Sequence, residues 1–385
     1  MTHSKTGIRA AILAMSVVQM GTNAISPILA DIAAAFPQAG ASTVQFLMTF
    51  PSLMVLVFSL AAAGAAAYIP KKVIAAAGCG LFCAGGVLSW LFHGSLTLLF
   101  VWAGTAGIGI GLVVPMATSL VTDCFEGAEQ QSVMGLQSSA ANVGAMLMTF
   151  FGGLLAAVHW SCNYLVYLIA LPGLFLALAC LPKNAGQTGG RTAGGGFLAL
   201  LKKPAVLTAC ALSLLVTMLF NTAPTNLSLL VTENGLGTAA QAGTATTLLL
   251  LSGTAGGLFF GKLAGKLGRR VMAFGFGMMA LGQLICAGAP SLPALFAGCL
   301  VCGCAISTVM PQVTLDAAAQ AEGNAAGTAA LVMASSNLGG FCAPLLTMAA
   351  KAVAGSDATA PRFILSAACA LFITAAIMLL TGRKK

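Results

Sequence analysis

The sequence predicts an all-α membrane protein with twelve transmembrane helices, arranged as two pseudo-symmetric six-helix bundles. Three observations lead to this prediction. The 385 residues are 59% hydrophobic and have a mean hydropathy of +0.98, and a soluble domain lacks the polar surface to cover such a chain. Long uncharged stretches follow one another from end to end. Polar landmarks of the first half return in the second half at a nearly constant spacing.

The uncharged stretches predict the number of helices. A spanning helix needs about 20 apolar residues. The stretches are 10–30, 32–70, 73–122, 130–182, 204–232, 234–261, 271–315, 323–350 and 363–382. Three of them, 73–122, 130–182 and 271–315, hold two helices each, with turn residues at 93–95, 159–163 and 288–293. Six single and three double stretches predict twelve spans.

The basic residues predict the orientation of these spans. In a twelve-span model, 15 of the 17 Lys and Arg residues fall on one side, and only Lys351 and Arg362 fall in loops on the other. Basic residues concentrate in cytoplasmic loops. We therefore expect a multi-pass protein of the cytoplasmic (plasma or inner) membrane with both termini in the cytoplasm. The basic and apolar start of the chain is expected to be a retained first helix rather than a cleaved signal peptide.

Internal repetition predicts two halves. A polar, Gly-rich segment at 183–196 is typical of a flexible linker. We expect bundles at 1–182 and 204–385, joined by a linker at 183–203. The paired landmarks are Asn23 with Pro27 and Asn221 with Pro224, Lys71–Lys72 and Arg269–Arg270, Gly107 with Pro115 and Gly303 with Pro311, 142–145 and 337–340, and Lys183 and Arg383. Parallel six-helix repeats are typical of secondary transporters, whose site lies near the bilayer midplane between the repeats.

Several motifs resemble those of the major facilitator superfamily, and within it the short twelve-helix drug and metabolite efflux type. The turn "GKLAGKLGRR" at 261–270 is similar to the family's signature loop, and "AGIGIGLVVP" at 106–115 is similar to its Gly-rich fourth span. The resemblance implies rocking of two halves and gating by cytoplasmic turns, with 261–270 acting as a latch. The residues expected in these turns are Gly64, Lys71, Lys72, Gly261, Gly268, Arg269 and Arg270.

Three positions depart from the family pattern. Gly265 stands where the signature loop usually has Asp, and Ala103 stands where an Arg associated with proton coupling is often found. Thr149 replaces the Pro expected before the Gly-Gly pair of the antiporter motif. Proton coupling and antiport therefore stay open. Efflux is favoured by the resemblance, uptake or facilitated exchange of a neutral solute is the alternative, and a transport-inactive membrane sensor is a further one.

Polar residues at membrane depth are the candidate substrate-binding residues. They are Gln19, Asn23, Gln45, Ser138, Asn142, Asn221, Asn226, Gln312 and Asn337. Polar side chains in hydrocarbon need partners, so most should face the interior of the protein. The alternative is a structural hydrogen bond between helices, worth about 0.6 kcal/mol on average. We favour helix packing, at the contact between the halves, for Asn142 and Asn337. Pro224 should break its helix and free carbonyl groups.

Charges are expected to be rare around this set. No Lys or Arg is predicted deep in a span, and Asp31 is the one acid that touches a span, near its outer end. A charged substrate would then lack a counter-ion, which makes its desolvation costly. We therefore expect a neutral, zwitterionic or lipophilic substrate, or a weakly held cation that uses Asp31. Asp31 is the candidate coupling residue, with a solvated helix end as its alternative role.

The remaining motifs do not predict catalysis. Gly107, Gly109 and Gly111 favour close helix packing over a dinucleotide loop, because they lie inside an apolar span. The cysteines of "CLVCGC" at 299–304 favour packing over metal binding, and the three His residues are far apart in sequence. We expect no enzyme activity, no cofactor, no metal and no nucleic-acid partner. The expected partners are a small-molecule substrate, the lipid bilayer and protons as a candidate coupling ion, with a monomer as the unit.

Overall fold

A computed structural model describes residues 5–66, 68–181, 203–268, 270–319 and 325–382. The described residues form twelve helices and no strands, which confirms the all-α prediction. They are α1 (Lys5–Ala35), α2 (Ala41–Ala65), α3 (Lys71–Leu91), α4 (Leu96–Cys124), α5 (Gly127–Leu155), α6 (Trp160–Cys180), α7 (Pro204–Glu233), α8 (Ala239–Leu267), α9 (Arg270–Ala287), α10 (Leu292–Ala319), α11 (Ala325–Ala354) and α12 (Ala360–Gly382).

Eleven of the described helices are long and apolar enough to cross a membrane. Helix α8, with 29 residues, completes the predicted set of twelve by its length and place in the chain. The side chains of residues 258–262 within α8 lie outside the described set. The linker predicted at 183–203 also lies almost entirely outside it.

Helix α1 is irregular in its middle. Residues Val17–Ile28 have 3₁₀ geometry, Met20 leaves helical geometry at φ −108° and ψ 24°, and Pro27 lies near the end of this segment. A 3₁₀ segment makes poorer hydrogen bonds than an α-helix, and proline removes one backbone donor. The middle of α1 is therefore its weakest part.

The contacts divide the chain into two compact units. One holds the described residues of Met1–Ile28 and Phe50–Thr192, and the other holds those of Leu29–Thr49 and Ala193–Lys385. Helices α1 and α2 thus contribute to both units, because residues 29–49 pack with the second. The bundle boundaries at 1–182 and 204–385 stay a prediction.

Glycines bring the helices of the first unit into close contact. A side chain at Gly109 of α4 would lie 2.5 Å from the carbonyl oxygen of Gly78 on α3, and one at Gly107 would lie 2.7 Å from that of Pro51 on α2. A side chain at Gly144 of α5 would collide with the carbonyl oxygen of Val17 on α1. Small residues are what allow membrane helices to approach this closely. The predicted packing role of the Gly-rich run in α4 is confirmed at these positions.

The second unit repeats these contacts at equivalent positions. Gly303 of α10 lies against Leu249 of α8, as Gly107 lies against Pro51, and Gly339 of α11 lies against Leu214 of α7, as Gly144 lies against Val17. The duplication inferred from the sequence is therefore present in the packing of each unit. Gly144 and Gly339, which follow Asn142 and Asn337, make these contacts inside their own units. The packing role expected for Asn142 and Asn337 themselves stays a prediction.

Candidate functional site

Asn226 is the most highly connected of the predicted polar residues. Its amide is buried in α7, and its Oδ1 accepts hydrogen bonds from Gln45 Nε2 at 2.5 Å and from Arg362 Nη1 at 3.0 Å. Its Nδ2 donates to the Thr222 carbonyl oxygen at 2.9 Å. Gln45, Asn226 and Arg362, which we call the Asn226 cluster, therefore join helices α2, α7 and α12.

Arg362 is the residue that sequence reasoning missed. It was predicted in an outer loop, but it is the third residue of α12 and is only 4% exposed. Its Nη2 donates to the Asp357 carbonyl oxygen at 2.7 Å. The segment from Thr359 to Pro361 resembles a helix start, since Pro is favoured in the first helical turn, and this signal could have placed Arg362 inside the helix.

Helix α7 continues through Pro224, so the predicted break is wrong. The helix runs unbroken for 30 residues. Side chains nearby bond to carbonyl groups of this region: Thr225 Oγ1 donates to the Asn221 carbonyl oxygen at 2.6 Å, and Asn226 Nδ2 donates to that of Thr222. The carbonyl group that loses its backbone donor to Pro224 is that of Phe220, four residues earlier, and these side-chain bonds go to the next two carbonyl groups along the helix.

Four other candidate residues bond within their own helices. Asn221 and Asn337 donate to the carbonyl oxygens four residues earlier, at 2.9 and 3.2 Å, and Ser138 does so at 3.2 Å. Gln312 Nε2 donates to the Asp316 carboxylate at 2.8 Å. Local bonds of this kind leave the side chains free to exchange partners. None of these four side chains contacts another candidate through a described hydrogen bond.

The remaining candidates are half-buried in the first unit or at its border. Gln19 and Asn23 lie on the irregular segment of α1, and Asn142 lies on α5. The Nε2 atom of Gln19 is buried and has no hydrogen-bond partner among the described residues. Asp31 is also half-buried on α1, with no hydrogen bond or ion pair to any described residue. Among the nine candidates, Gln45 and Asn226 are the pair joined by a hydrogen bond in the described part of the chain.

Lys71 is the best-defined member of the predicted gating turns. Its ammonium group lies 2.5 Å from the Asp123 carboxylate and also contacts Ser119 Oγ. The pair ties the start of α3 to the end of α4. The Lys71 side chain is only 10% exposed and that of Asp123 is 28% exposed, so the pair is well shielded from water.

The other gating residues are less constrained. Gly268 has φ +54°, which a side chain would strain, and it ends α8. Gly64 has open space around its Cα, Lys72 is half-buried and Arg270 is exposed at the start of α9. Arg269 and the surroundings of Gly261 lie outside the described residues. The proposed latch at 261–270 stays a prediction.

An apolar groove of about 410 Å³ lies between α5 and α6. Its walls include Leu147, Phe151, Leu155, Val166 and Ile169. The groove contains none of the predicted polar candidates, and its apolar walls match the hydrocarbon chains of a lipid.

Comparisons with known proteins agree with this architecture. A family model described as Major Facilitator Superfamily matches residues 11–344. No curated protein sequence matches the chain.

Several solved transporter structures share the fold. A bacterial homologue of the human lysosomal transporter Spinster, in an inward-facing and unoccupied conformation, has a TM-score of 0.74 at 15% identity, covering 99% of this chain and 98% of that one. The nucleoside transporter NupG has a TM-score of 0.81 at 10% identity, covering 97% and 99%. A POT family transporter in complex with a thioalcohol-conjugated peptide has a TM-score of 0.77 at 14% identity, covering 99% and 97%. With its long apolar helices, its repeated glycine contacts and a family match over most of its length, the chain belongs to the Major Facilitator Superfamily and is a membrane transporter rather than an enzyme.

Proposed function

We propose that this protein is a secondary transporter of the cytoplasmic membrane that moves a small organic solute by alternating access. The moving parts are the bundles at 1–182 and 204–385, and the expected unit is a monomer. Efflux of a neutral or lipophilic compound is the favoured activity, supported by the overall resemblance of the sequence to the short drug and metabolite efflux type. The observation that carries the proposal is the set of neutral amide side chains on helices of a transporter fold.

The chemistry of these amides supports a neutral solute. Asn23, Asn142 and Asn221 are half-buried, and each can both donate and accept a hydrogen bond. Arg362 is the buried cation nearest to the set, and its two hydrogen bonds already go to the neutral oxygens of Asn226 and Asp357. These two N–H groups are therefore taken up by the protein, and the half-buried amides remain the groups proposed to meet the solute.

A binding screen followed by reconstitution tests this proposal. Purified protein is screened by thermal shift against metabolites and drugs, and each hit is assayed for movement across proteoliposome membranes. Asn23→Ala and Asn221→Ala should each slow movement about tenfold, because each removes a hydrogen bond worth roughly 1 kcal/mol or more. Ser139→Ala, an exposed serine bonded to the Gly135 carbonyl oxygen of its own helix, is the matched control and should transport normally.

Other outcomes would overturn the proposal. Binding without any solute movement would favour the transport-inactive membrane sensor. Normal transport by both Asn variants would remove these residues from the substrate site.

Facilitated exchange or uptake is the second candidate, favoured by two positions. Ala103 and Thr149 are both buried. Ala103 offers no ionisable group where the family often has an Arg, and Thr149 replaces the Pro of the antiporter motif. Thr149 Oγ1 bonds to the Ala145 carbonyl oxygen at 3.0 Å, within its own helix.

An imposed pH gradient separates the two candidates. Proton antiport predicts solute accumulation driven by the gradient and its loss in Asp31→Asn. Solute movement that is indifferent to the gradient in the unaltered protein would reject antiport and support exchange.

A further inference from the structure

Residues 29–49, which are the end of α1 and the start of α2, form a helical hairpin. A proline lies close to each of its two borders. The hairpin packs with the second unit, whereas the rest of α1 and α2 packs with the first. The borders fall after Ile28 and after Thr49, and Pro27 and Pro51 lie within two residues of them, both inside helices. Proline removes a backbone donor and bends helices at a defined place. The two prolines therefore mark the points where the hairpin can swing on α1 and α2.

Three hydrogen bonds join the hairpin to the rest of the second unit among those described for these residues. Gln45 Nε2 donates to Asn226, and the backbone N–H of Ala30 donates to Ser228 Oγ at 3.2 Å. Thr49 Oγ1 lies at 3.4 Å from the Phe341 carbonyl oxygen. The bond of Gln45 is the shortest of these three and the only one between two side chains that are almost fully buried.

Arg362 decides how the two amides are oriented. A guanidinium can only donate hydrogen bonds, so Asn226 must present its oxygen to Arg362. That oxygen can only accept, so Gln45 must turn its Nε2 toward it. The Asp357 carbonyl oxygen holds the other side of the guanidinium. The orientation of Gln45 on α2 is thus set by a charge on α12.

This orientation leaves one group unpaired. Gln45 Oε1 is buried and has no hydrogen-bond partner in the described part of the chain. A buried acceptor without a donor loses the hydration it would have in water. When the hairpin moves away, water can satisfy this oxygen, so the unpaired group offsets part of the gain from the Gln45–Asn226 bond. The closed arrangement is held, but reversibly.

We propose that Gln45 and Asn226 form a reversible lock on the hairpin 29–49, with Arg362 as the positioning residue. The inference rests on the proposed alternating access, in which the hairpin must separate from α7 and α12 at the end predicted to face outward. The lock is closed in this structure. Breaking it should expose the surface of α7 that now faces Ala30.

A labelling experiment tests the lock without any transported solute. Ser228→Cys places a reporter thiol at a position that is 2% exposed and faces the hairpin. The full-length purified protein is treated with N-ethylmaleimide, and mass spectrometry follows the modification of residue 228. Cys302, which is fully buried in α10, reports unfolding in the same sample.

Arg362→Met in the reporter background should speed labelling at position 228 about tenfold, as expected for losing a hydrogen bond to a charged group. Arg362→Lys, which can still donate to Asn226, should restore most of the slow rate. Arg270→Met removes an exposed Arg elsewhere and should change nothing. Gln45→Ala combined with Arg362→Met should label no faster than the faster single variant, because both act on one lock.

The proposal fails if Arg362→Met leaves the rate at position 228 unchanged. It also fails if Cys302 is labelled faster to the same degree, because Arg362 would then support folding alone. If the increase in labelling rate of the double variant is the product of the two single increases, a shared lock is also rejected. A proteoliposome assay separates the lock from the proposed transport function. If the labelling rates are as expected but no solute moves, transport is rejected and the lock stands.

Discussion

Asn226 shows how a polar side chain is accommodated inside an apolar helix. Its oxygen accepts two hydrogen bonds and its nitrogen serves its own helix. The side chain of Asn221, earlier on the same helix, donates instead to the Thr217 carbonyl oxygen of that helix. The two residues belong to the same class in the sequence, and the difference lies in the residues that other helices place opposite them.

Lys71 and Asp123 provide a prediction at the residue scale. Lys71→Met should leave a shielded carboxylate without its cation and destabilise the protein by roughly 1–3 kcal/mol, less than for a fully buried pair because Asp123 is partly exposed. The melting temperature of the detergent-solubilised protein measures this. Adding Asp123→Asn should recover much of the loss, and Lys72→Met should change little. An unchanged melting temperature for Lys71→Met would show that the pair contributes nothing.

At the scale of single helices, glycine sets the spacing between neighbours. The contacts of Gly107 and Gly144 in the first unit return as those of Gly303 and Gly339 in the second. Helix contact is not driven by the hydrophobic effect inside a bilayer, so close van der Waals packing takes its place.

Gly144→Ala tests this packing. Its methyl group would meet the backbone of Val17, and overpacking typically costs about 1–3 kcal/mol. Gly135→Ala lies on the same helix with open space around it and should be neutral or stabilising by up to about 1 kcal/mol. Thermal unfolding of both variants compares them. If the melting temperature falls as far for Gly135→Ala as for Gly144→Ala, the packing role of Gly144 is contradicted.

The proline in α2 gives a second prediction at this scale. Pro51→Ala restores a backbone donor for the Leu47 carbonyl group and should stiffen α2 at the border of the hairpin. Labelling at position 228 in the Ser228→Cys protein should then slow. Pro115→Ala, in α4, is the control and should label at the parent rate. Equal rates for all three proteins would show that Pro51 is no hinge.

At the scale of the whole molecule, the asymmetry of basic residues predicts the orientation. Fifteen of 17 Lys and Arg residues lie on one predicted side, and transferring them across the bilayer would be costly. A green fluorescent protein fused after Lys385 should fluoresce, because it folds in the cytoplasm. Alkaline phosphatase fused at the same place should be inactive. The opposite pair of results would invert the proposed topology.

The sequence predicted the helices well and the site only in part. Helix number and duplication follow from hydropathy and from paired landmarks, which are properties of local segments. Gln45 and Asn226 were both selected as polar residues at membrane depth, yet their contact spans 181 positions. Arg362 was placed in a loop because a helix boundary shifts by a few residues without changing the composition around it.

The sequence by itself determined that this chain crosses a membrane in repeated apolar helices with few charges. Each of those features follows from the cost of placing polar groups in hydrocarbon, which every segment meets on its own. Only the tertiary structure decided that Gln45, Asn226 and Arg362 share hydrogen bonds, and that residues 29–49 pack with the second unit. Such contacts depend on the rotation and bending of whole helices, and no local pattern records these.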